Sequence, residues 1–248
     1  MNNERNRSFF LMGIRITNFY TTFAFLKRKV MKLIILDFDG TLADTRELIV
    51  KTMQQTIGAL GLEARTDEEC AAMIGLPLKQ AFMNLIPMSD DAGNRCAETY
   101  RRLFNENNAV YKVPAFPHVL DTLHTLSEQG YTLAIASSRS NRSLMEFVHD
   151  MGLETIIPYV LGADDVIHAK PHPEPVLMTL RKYGCKPEEA IVVGDSKYDI
   201  EMGRNAGVKT CGVTYGNGTR QELGDAGADY LIDDFKTLME ILVPNNHS

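Results

Sequence analysis

The sequence predicts an α/β protein, a parallel sheet with helices on both faces, carrying a small all-helical insert. Three observations point to it. From Ala115 onward, short apolar runs alternate with segments whose apolar residues recur at helical spacing, the pattern of strands joined by crossover helices. Between Asp44 and about Pro114 the strand-like runs disappear and only helical periodicity remains. The chemically loaded residues fall directly after predicted strands, where open α/β sheets gather their ligands.

Leu33–Leu36 is four apolar residues in a row, a short strand buried on both faces. Asp44 is placed to cap a helix bearing Ile49, Met53, Ile57 and Leu60, stopped by Gly61. Thr66-Asp67-Glu68-Glu69 has capping-box spacing ahead of a second helix. Helices over Leu78–Leu85 and around Ala92–Asn105 complete the insert, and the chain returns through Val113-Pro114-Ala115-Phe116-Pro117. A helix over Pro117–Gln129 then carries Val119, Leu120, Leu123 and Leu126 and closes at Gly130. A strand follows over Tyr131–Ala136, then a helix over Asn141–Met151 closed by Gly152, and a short strand at Tyr159–Gly162. The remaining predictions are a helix at Pro173–Tyr183, a strand at Ala190–Gly194, a helix at Tyr198–Ala206 and a strand at Lys209–Val213. A strand near Tyr230–Ile232 and a helix from Phe235 to Leu242 end the series. The expected division is a core of residues 31–43 and 115–248, a helical cap of residues 44–114, and an extension of residues 1–30.

With 44% hydrophobic residues among 248, the chain can build one sizeable core and a smaller accessory unit. The net charge of −6, with no basic run in the body, argues against a nucleic-acid partner. No apolar run is long enough to span a bilayer. Cys70, Cys96, Cys185 and Cys211 are scattered without a C-x-x-C pair, which suits a reducing cytoplasm better than a disulfide framework or a zinc site. Residues 1–30 carry Arg5, Arg7, Arg15, Lys27, Arg28 and Lys29 against Glu4 alone. Arg15 interrupts the apolar stretch a signal peptide needs. Met31 stands directly before the first strand, so the extension is expected to be dispensable or a misassigned start.

The most informative run is Leu36-Asp37-Phe38-Asp39-Gly40-Thr41-Leu42-Ala43-Asp44-Thr45. Alternate strand residues share a face, so Asp37 and Asp39 can be aimed at one point once Gly40 lets the chain bend. Converging carboxylates suit a hard cation such as Mg2+, and they offer one group to attack phosphorus and another to move a proton. After the strand Leu133-Ala134-Ile135-Ala136 come Ser137 and Ser138, whose hydroxyl and backbone N–H groups suit a phosphate oxygen. Lys170 sits in Ala169-Lys170-Pro171-His172-Pro173-Glu174-Pro175, where the prolines restrict the backbone and hold the lysine. Gly194-Asp195-Ser196-Lys197-Tyr198-Asp199 follows Ile191-Val192-Val193. There Asp195 reaches toward a metal from the strand end, and Asp199 lies one helical turn later on the same side.

On these residues the stretch Met31 to Leu242 resembles the haloacid-dehalogenase superfamily of phosphohydrolases, in particular its phosphoglycolate-phosphatase-like and β-phosphoglucomutase-like branch. The resemblance rests on Asp37-Phe38-Asp39-Gly40-Thr41, Ser137, Lys170, and Gly194-Asp195 through Asp199, in that order, and on an insert placed like that branch's cap. It implies a Rossmann-like core and an enzyme in which Asp37 attacks the phosphoryl group to form an aspartyl-phosphate. Asp39 would protonate the leaving oxygen and then take a proton from the hydrolytic water. The resemblance further implies Mg2+ held by Asp37, the Asp39 backbone carbonyl and Asp195, with Asp199 supporting through water or by orienting Lys170. Ser137 and Lys170 would grip the transferring phosphate, with Gly40, Thr41 and Ser138 also on the substrate side. Cap residues Gly75-Leu76-Pro77-Leu78-Lys79 would face the site. Histidines have no part in the pattern, and His118, His124, His168 and His172 are expected at the surface or in packing.

The expected partner is a small phosphorylated metabolite, with no nucleic acid or membrane, and the chain is expected to act as a monomer or weak dimer. A sugar-phosphate mutase uses the same intermediate and is the alternative. Thr41 favours the hydrolase, because its hydroxyl could orient Asp39 toward water while the mutases commonly carry Val there. A regulatory phosphate-binding protein is a third reading, disfavoured because every motif carboxylate and lysine is present. The paired Asp37 and Asp39 disfavour dehalogenation, and a phosphonatase would need a cap lysine pattern that is absent here.

Overall fold

The computed structural model describes residues 31–242. The expected extension of residues 1–30 and the last six residues of the expected core lie outside the described residues. Strand β1 (Leu33–Leu36) is fully buried, and its side chains alternate between two cores. Ile34 and Leu36 face one, while Leu33 and Ile35 face the other.

The chain then leaves the sheet through four helices: α1 (Arg46–Ala59), α2 (Asp67–Ala71), α3 (Leu78–Leu85) and α4 (Asp90–Asn108). Helix α1 begins after Thr45 and not with Asp44 as its cap. The reason is local: the Asp44 N–H is tied to the Pro114 carbonyl (2.9 Å), which anchors that residue to the returning chain. The capping box at Thr66 forms as predicted, with the Glu69 N–H donating to Thr66 Oγ1 (3.1 Å) and the Thr66 N–H to Glu69 Oε2 (2.7 Å).

The α/β part continues with α5 (Val119–Glu128), β2 (Thr132–Ala136), α6 (Asn141–Asp150), β3 (Tyr159–Leu161), α7 (Glu174–Tyr183) and β4 (Ala190–Gly194). It ends with α8 (Lys197–Asn205), β5 (Lys209–Val213), α9 (Arg220–Asp225), β6 (Tyr230–Ile232) and α10 (Leu238–Leu242). Helix α5 starts two residues later than the sequence suggests. His118 takes a left-handed conformation (φ 63°), which no continuing α-helix accepts. Helix α9 is absent from the sequence reading. It is opened by a capping box between Thr219 and Glu222, whose Thr-x-x-Glu spacing is the sequence signal for it. The last predicted helix divides into a 3-10 turn (Phe235–Thr237) and α10.

All six strands are parallel, in the order β3-β2-β1-β4-β5-β6. The chain order reverses beside β1, so a crevice opens beyond the carboxyl ends of β1 and β4, the topological switch point of such sheets. Leu36 pairs with Ile135 on one side and Val193 on the other. The residues that follow β1, β2 and β4 therefore emerge side by side. One apolar core runs from this sheet face into the inserted helices: Phe147 of α6 packs on Phe38 (5.3 Å between centroids) and on Phe104 of α4 (6.4 Å). The described residues belong to one compact unit.

Candidate active site

Beyond β1 the Asp37 N–H still pairs with the Val193 carbonyl (2.9 Å), so the strand geometry persists for one more residue. The chain then coils tightly, the Phe38 carbonyl accepting from the N–H groups of Thr41 (3.3 Å), Leu42 (3.0 Å) and Ala43 (3.1 Å). Phe38 goes down into the core, which turns Asp37 and Asp39 the other way. Gly40 holds φ +84°, and a Cβ there would lie 2.1 Å from Asp195 Oδ2. Only glycine lets the first turn approach the end of β4 so closely.

Lys170 comes from the loop before α7 and is buried. Its Nζ donates to Asp37 Oδ1 (2.6 Å) and Asp199 Oδ1 (2.5 Å). The loop is fixed from behind by Glu174, whose carboxylate accepts the N–H groups of Ile167 and His168, both at 3.0 Å. Burial pulls the Lys170 pKa down, and the charges of Asp199 and Asp37 outweigh it, so the ammonium is held above its ordinary value. Burial and the Asp199 charge push Asp37 well above the ordinary carboxylate range, against the opposing pull of Lys170.

Asp195 follows β4 and is also buried. Its Oδ1 accepts from the Thr41 hydroxyl (3.2 Å), and its Oδ2 from the backbone N–H (2.7 Å) and Nδ2 (2.9 Å) of Asn217. Burial, then the Asp199 charge, raise Asp195 to about 7 even though both Asn217 bonds pull the other way. Carboxylate oxygens of Asp37, Asp195 and Asp199 lie within 4.8 Å of one another. Three buried carboxylates with one ammonium leave a surplus of negative charge, so the site fits a hard divalent cation on oxygen ligands.

Asp39 stands apart from that cluster. Arg139 forks onto it, Nε to Oδ2 at 3.0 Å and Nη2 to Oδ1 at 2.5 Å. Ser137 sits at the end of β2, largely buried, its Oγ accepting the Arg139 N–H (3.3 Å). The Ser138 hydroxyl is turned away to the Gly75 carbonyl of the helical insert (2.7 Å). A cavity of about 610 Å3 opens over Asp37, Asp39, Ser137 and Arg139, and Gly75, Leu76 and Lys79 of the insert line its far side.

Three expected substrate-side groups are redirected in this geometry, the first being the Ser138 hydroxyl on the Gly75 carbonyl. Thr41 is fully buried and its hydroxyl goes to Asp195, not to Asp39. The argument from Thr41 for hydrolase over mutase loses its basis, because Thr41 supports the carboxylate cluster instead. Gly40 spends its N–H on the Ala43 carbonyl (2.9 Å), so that donor closes the turn and is not offered to a phosphate.

Arg139, Asn217 and Tyr215 were missed. Tyr215 donates its hydroxyl to the Thr41 carbonyl (2.8 Å), so the loop after β5 braces the first turn as well as Asp195. The signal for that loop was Tyr215-Gly216-Asn217-Gly218, one residue beyond a predicted strand, a turn at a ligand-bearing end of the sheet. Arg139 had a comparable signal, two residues beyond Ser137.

Residues 34–213 match the model of the haloacid dehalogenase-like hydrolase family. The pyrophosphatase PpaX of Anoxybacillus flavithermus is 34% identical over 209 residues, spanning 84% of this chain and 95% of that one. A haloacid dehalogenase-like hydrolase from Bacteroides fragilis superposes with a TM-score of 0.76 at 29% identity, covering 84% of this chain and 99% of that one. A structure described as a predicted phosphoglycolate phosphatase, from Haemophilus somnus, shares the fold at a TM-score of 0.77 and 24% identity, over 86% of this chain and 99% of its own. Sequence, topology and the gathering of Asp37, Lys170, Asp195 and Asp199 at the switch point agree, and the chain belongs to the haloacid dehalogenase-like hydrolases.

Proposed function

We propose that this protein is a Mg2+-dependent phosphatase that hydrolyses a small phosphomonoester through an aspartyl-phosphate on Asp37. The observation that carries the reading is the Asp37–Lys170–Asp199 arrangement beside Asp195, because it presents a nucleophile, a fixed ammonium and a cation site together. In the first half-reaction a carboxylate oxygen of Asp37 bonds to phosphorus and the ester P–O bond breaks. The leaving alkoxide takes its proton from Asp39. In the second half-reaction Asp39 accepts a proton from water, the hydroxide attacks phosphorus, and the bond to Asp37 breaks to free inorganic phosphate. Mg2+ held by Asp37, Asp195 and the Asp39 backbone carbonyl would supply charge neutralisation between a dianionic phosphate and a carboxylate nucleophile. Lys170 works toward the same end from within the protein, and Ser137 offers its hydroxyl to a phosphate oxygen. Gly75, Leu76 and Lys79 line the cavity, which supports the helical insert as a lid that would exclude water. The four cysteines are free thiols, which supports a reducing cytoplasm as the setting.

Pyrophosphate is a second candidate substrate, favoured by the name of the 34%-identical relative. It needs no different machinery, since phosphate replaces the alcohol as leaving group. The deciding experiment incubates purified protein with a panel of phosphorylated metabolites, including 2-phosphoglycolate, pyrophosphate and β-glucose 1-phosphate, with and without Mg2+, and measures phosphate release. Rapid release from a small phosphomonoester that stops in EDTA is expected. Isomerisation of the sugar phosphate with little free phosphate would replace the phosphatase by a mutase.

A further inference from the structure

The contacts around Asp39 and Arg139 are unequal. The guanidinium is fixed without help from Asp39: Nη1 donates to Ser143 Oγ (3.1 Å), and the group lies over the rings of Phe104 (4.6 Å) and Phe147 (5.1 Å). Phe104 belongs to the helical insert and Phe147 to the sheet side, so both halves of the cleft hold Arg139 in place. The Asp39 carboxylate has no hydrogen-bond partner other than Arg139 among the described residues. If the pair separates, the arginine stays and the aspartate moves.

It must separate for the chemistry to proceed. A proton shuttle has to present an oxygen to the leaving group, whereas here both Asp39 oxygens are turned to the guanidinium. The position of Arg139 also limits what could release it. Asp39 has to touch the leaving oxygen in one state and touches Arg139 in this one, so Arg139 lies about one carboxylate's reach from where that oxygen sits. An anionic group one or two bonds from the leaving oxygen would arrive at the fork that Asp39 vacates.

We propose that Arg139 is an exchangeable anion seat: it clamps Asp39 while the cleft is empty and releases it when a second anionic group of the substrate, a carboxylate or phosphate near the leaving oxygen, takes the guanidinium. Arg139 is then a binding residue for that group and a positioning residue for the proton shuttle, so turnover is armed only by substrates bearing the second anion. This rests on the phosphatase reading and on Asp39 as its acid and base.

The test compares two alkyl phosphates with alkoxide leaving groups, 2-phosphoglycolate and ethyl phosphate, which differ chiefly in the carboxylate. p-Nitrophenyl phosphate, whose leaving group needs no proton, serves as control. The wild-type protein is expected to prefer 2-phosphoglycolate in kcat/KM. In Arg139→Gln that preference should fall by about 10- to 100-fold, the scale of a lost charge-assisted fork. KM for 2-phosphoglycolate should rise, and kcat for ethyl phosphate should also rise, because Asp39 is no longer clamped. A structural role alone would lower both substrates together, and that result would overturn the proposal, as would a wild-type protein with no preference. Arg139→Lys keeps the charge without the fork and should retain part of the preference. If the Gln variant does not fold, an unchanged preference in the Lys variant overturns the proposal. Hydrolysis of none of the three esters and of no member of the metabolite panel would remove the phosphatase reading itself, and the anion seat with it, whereas turnover confined to panel members without a second anion removes the anion seat alone. Hydrolysis of p-nitrophenyl phosphate without discrimination between the alkyl esters removes the anion seat alone.

Discussion

Asn217 grips Asp195 twice through one oxygen, from its backbone N–H at 2.7 Å and from Nδ2 at 2.9 Å. Arg46 at the start of α1 donates Nη1 to the Asn217 Oδ1 (3.4 Å), which directs the amide nitrogen to the carboxylate. The loop after β5 thus decides how the carboxylate at the end of β4 is presented. Removing the side chain in Asn217→Ala leaves the backbone bond in place. The variant is expected to need about ten times more Mg2+ for half-maximal activity, the lower end of what outer hydrogen-bond partners of metal ligands contribute. Titration calorimetry with Mg2+ measures it, and an unchanged affinity would show that the backbone bond alone orients Asp195.

Asp37→Asn tests the nucleophile and the electrostatic strain together. The amide preserves shape and still accepts from Lys170, but it cannot attack phosphorus. Turnover should fall at least about 100-fold. Because burial and Asp199 disfavour the ionised Asp37, the metal-free variant should melt higher by about 2–4 °C, the shift expected for about 1 kcal/mol in a chain of this length. A variant that retains more than a hundredth of the activity would remove Asp37 from the nucleophile's place, and a lower melting point would contradict the strain.

Lys170→Met should act in the opposite sense. The ammonium is the buried positive partner of Asp37 and Asp199, and its loss leaves buried carboxylates uncompensated. Breaking such a pair costs about 3–5 kcal/mol, so the metal-free protein should melt on the order of 10 °C lower. Saturating Mg2+ should restore part of that loss without restoring turnover. An unchanged melting point at pH 8 without metal would mean that the cluster is neutralised by protons even above the Asp195 titration.

The raised pKa of Asp195 gives a pH prediction with a definite sign. Its ordinary value is 3.8 and its folded, metal-free value is about 7. Between about pH 4 and pH 7 the folded protein keeps a proton that the unfolded chain has lost. The metal-free protein therefore loses stability as pH rises through that window and levels off above it. Mg2+ bound at this cluster would expel the proton, so metal affinity is expected to climb over the same range. Thermal scans with and without Mg2+ at pH 5.5 and pH 8 should show the larger metal-induced rise at pH 8. An equal or larger rise at pH 5.5 would refute the protonated cluster.

What the sequence determined by itself was the sheet and the positions around it. Leu33–Leu36, Ala190–Gly194 and Tyr230–Ile232 form as strands with the bounds the sequence suggests, because short apolar runs bounded by turn residues have few other ways to bury themselves, and Lys209–Val213 follows from its place in the strand–helix alternation. Since those strands are parallel, the residues after them had to appear on one edge, and Asp37, Ser137 and Asp195 were legible for that reason. Lys170 was legible because the prolines around it marked a constrained loop.

The pairing of side chains across that edge was decided by the tertiary structure alone. Arg139 could be read as a solvated loop arginine until the fold brought it to Asp39, 100 residues away in sequence, and set Phe104 and Phe147 against it. Thr41 stands two residues after Asp39, and the family resemblance implied that its hydroxyl orients that carboxylate. The coil closed on the Phe38 carbonyl instead turns its hydroxyl to Asp195, 154 residues on. Asn217 reaches the same carboxylate from a fourth segment of chain. Local patterning fixes which residues stand at the ends of the strands, because burial and backbone geometry act over a few residues. Which of those groups touch depends on strand order and on contacts between distant segments, and no period within the sequence records it.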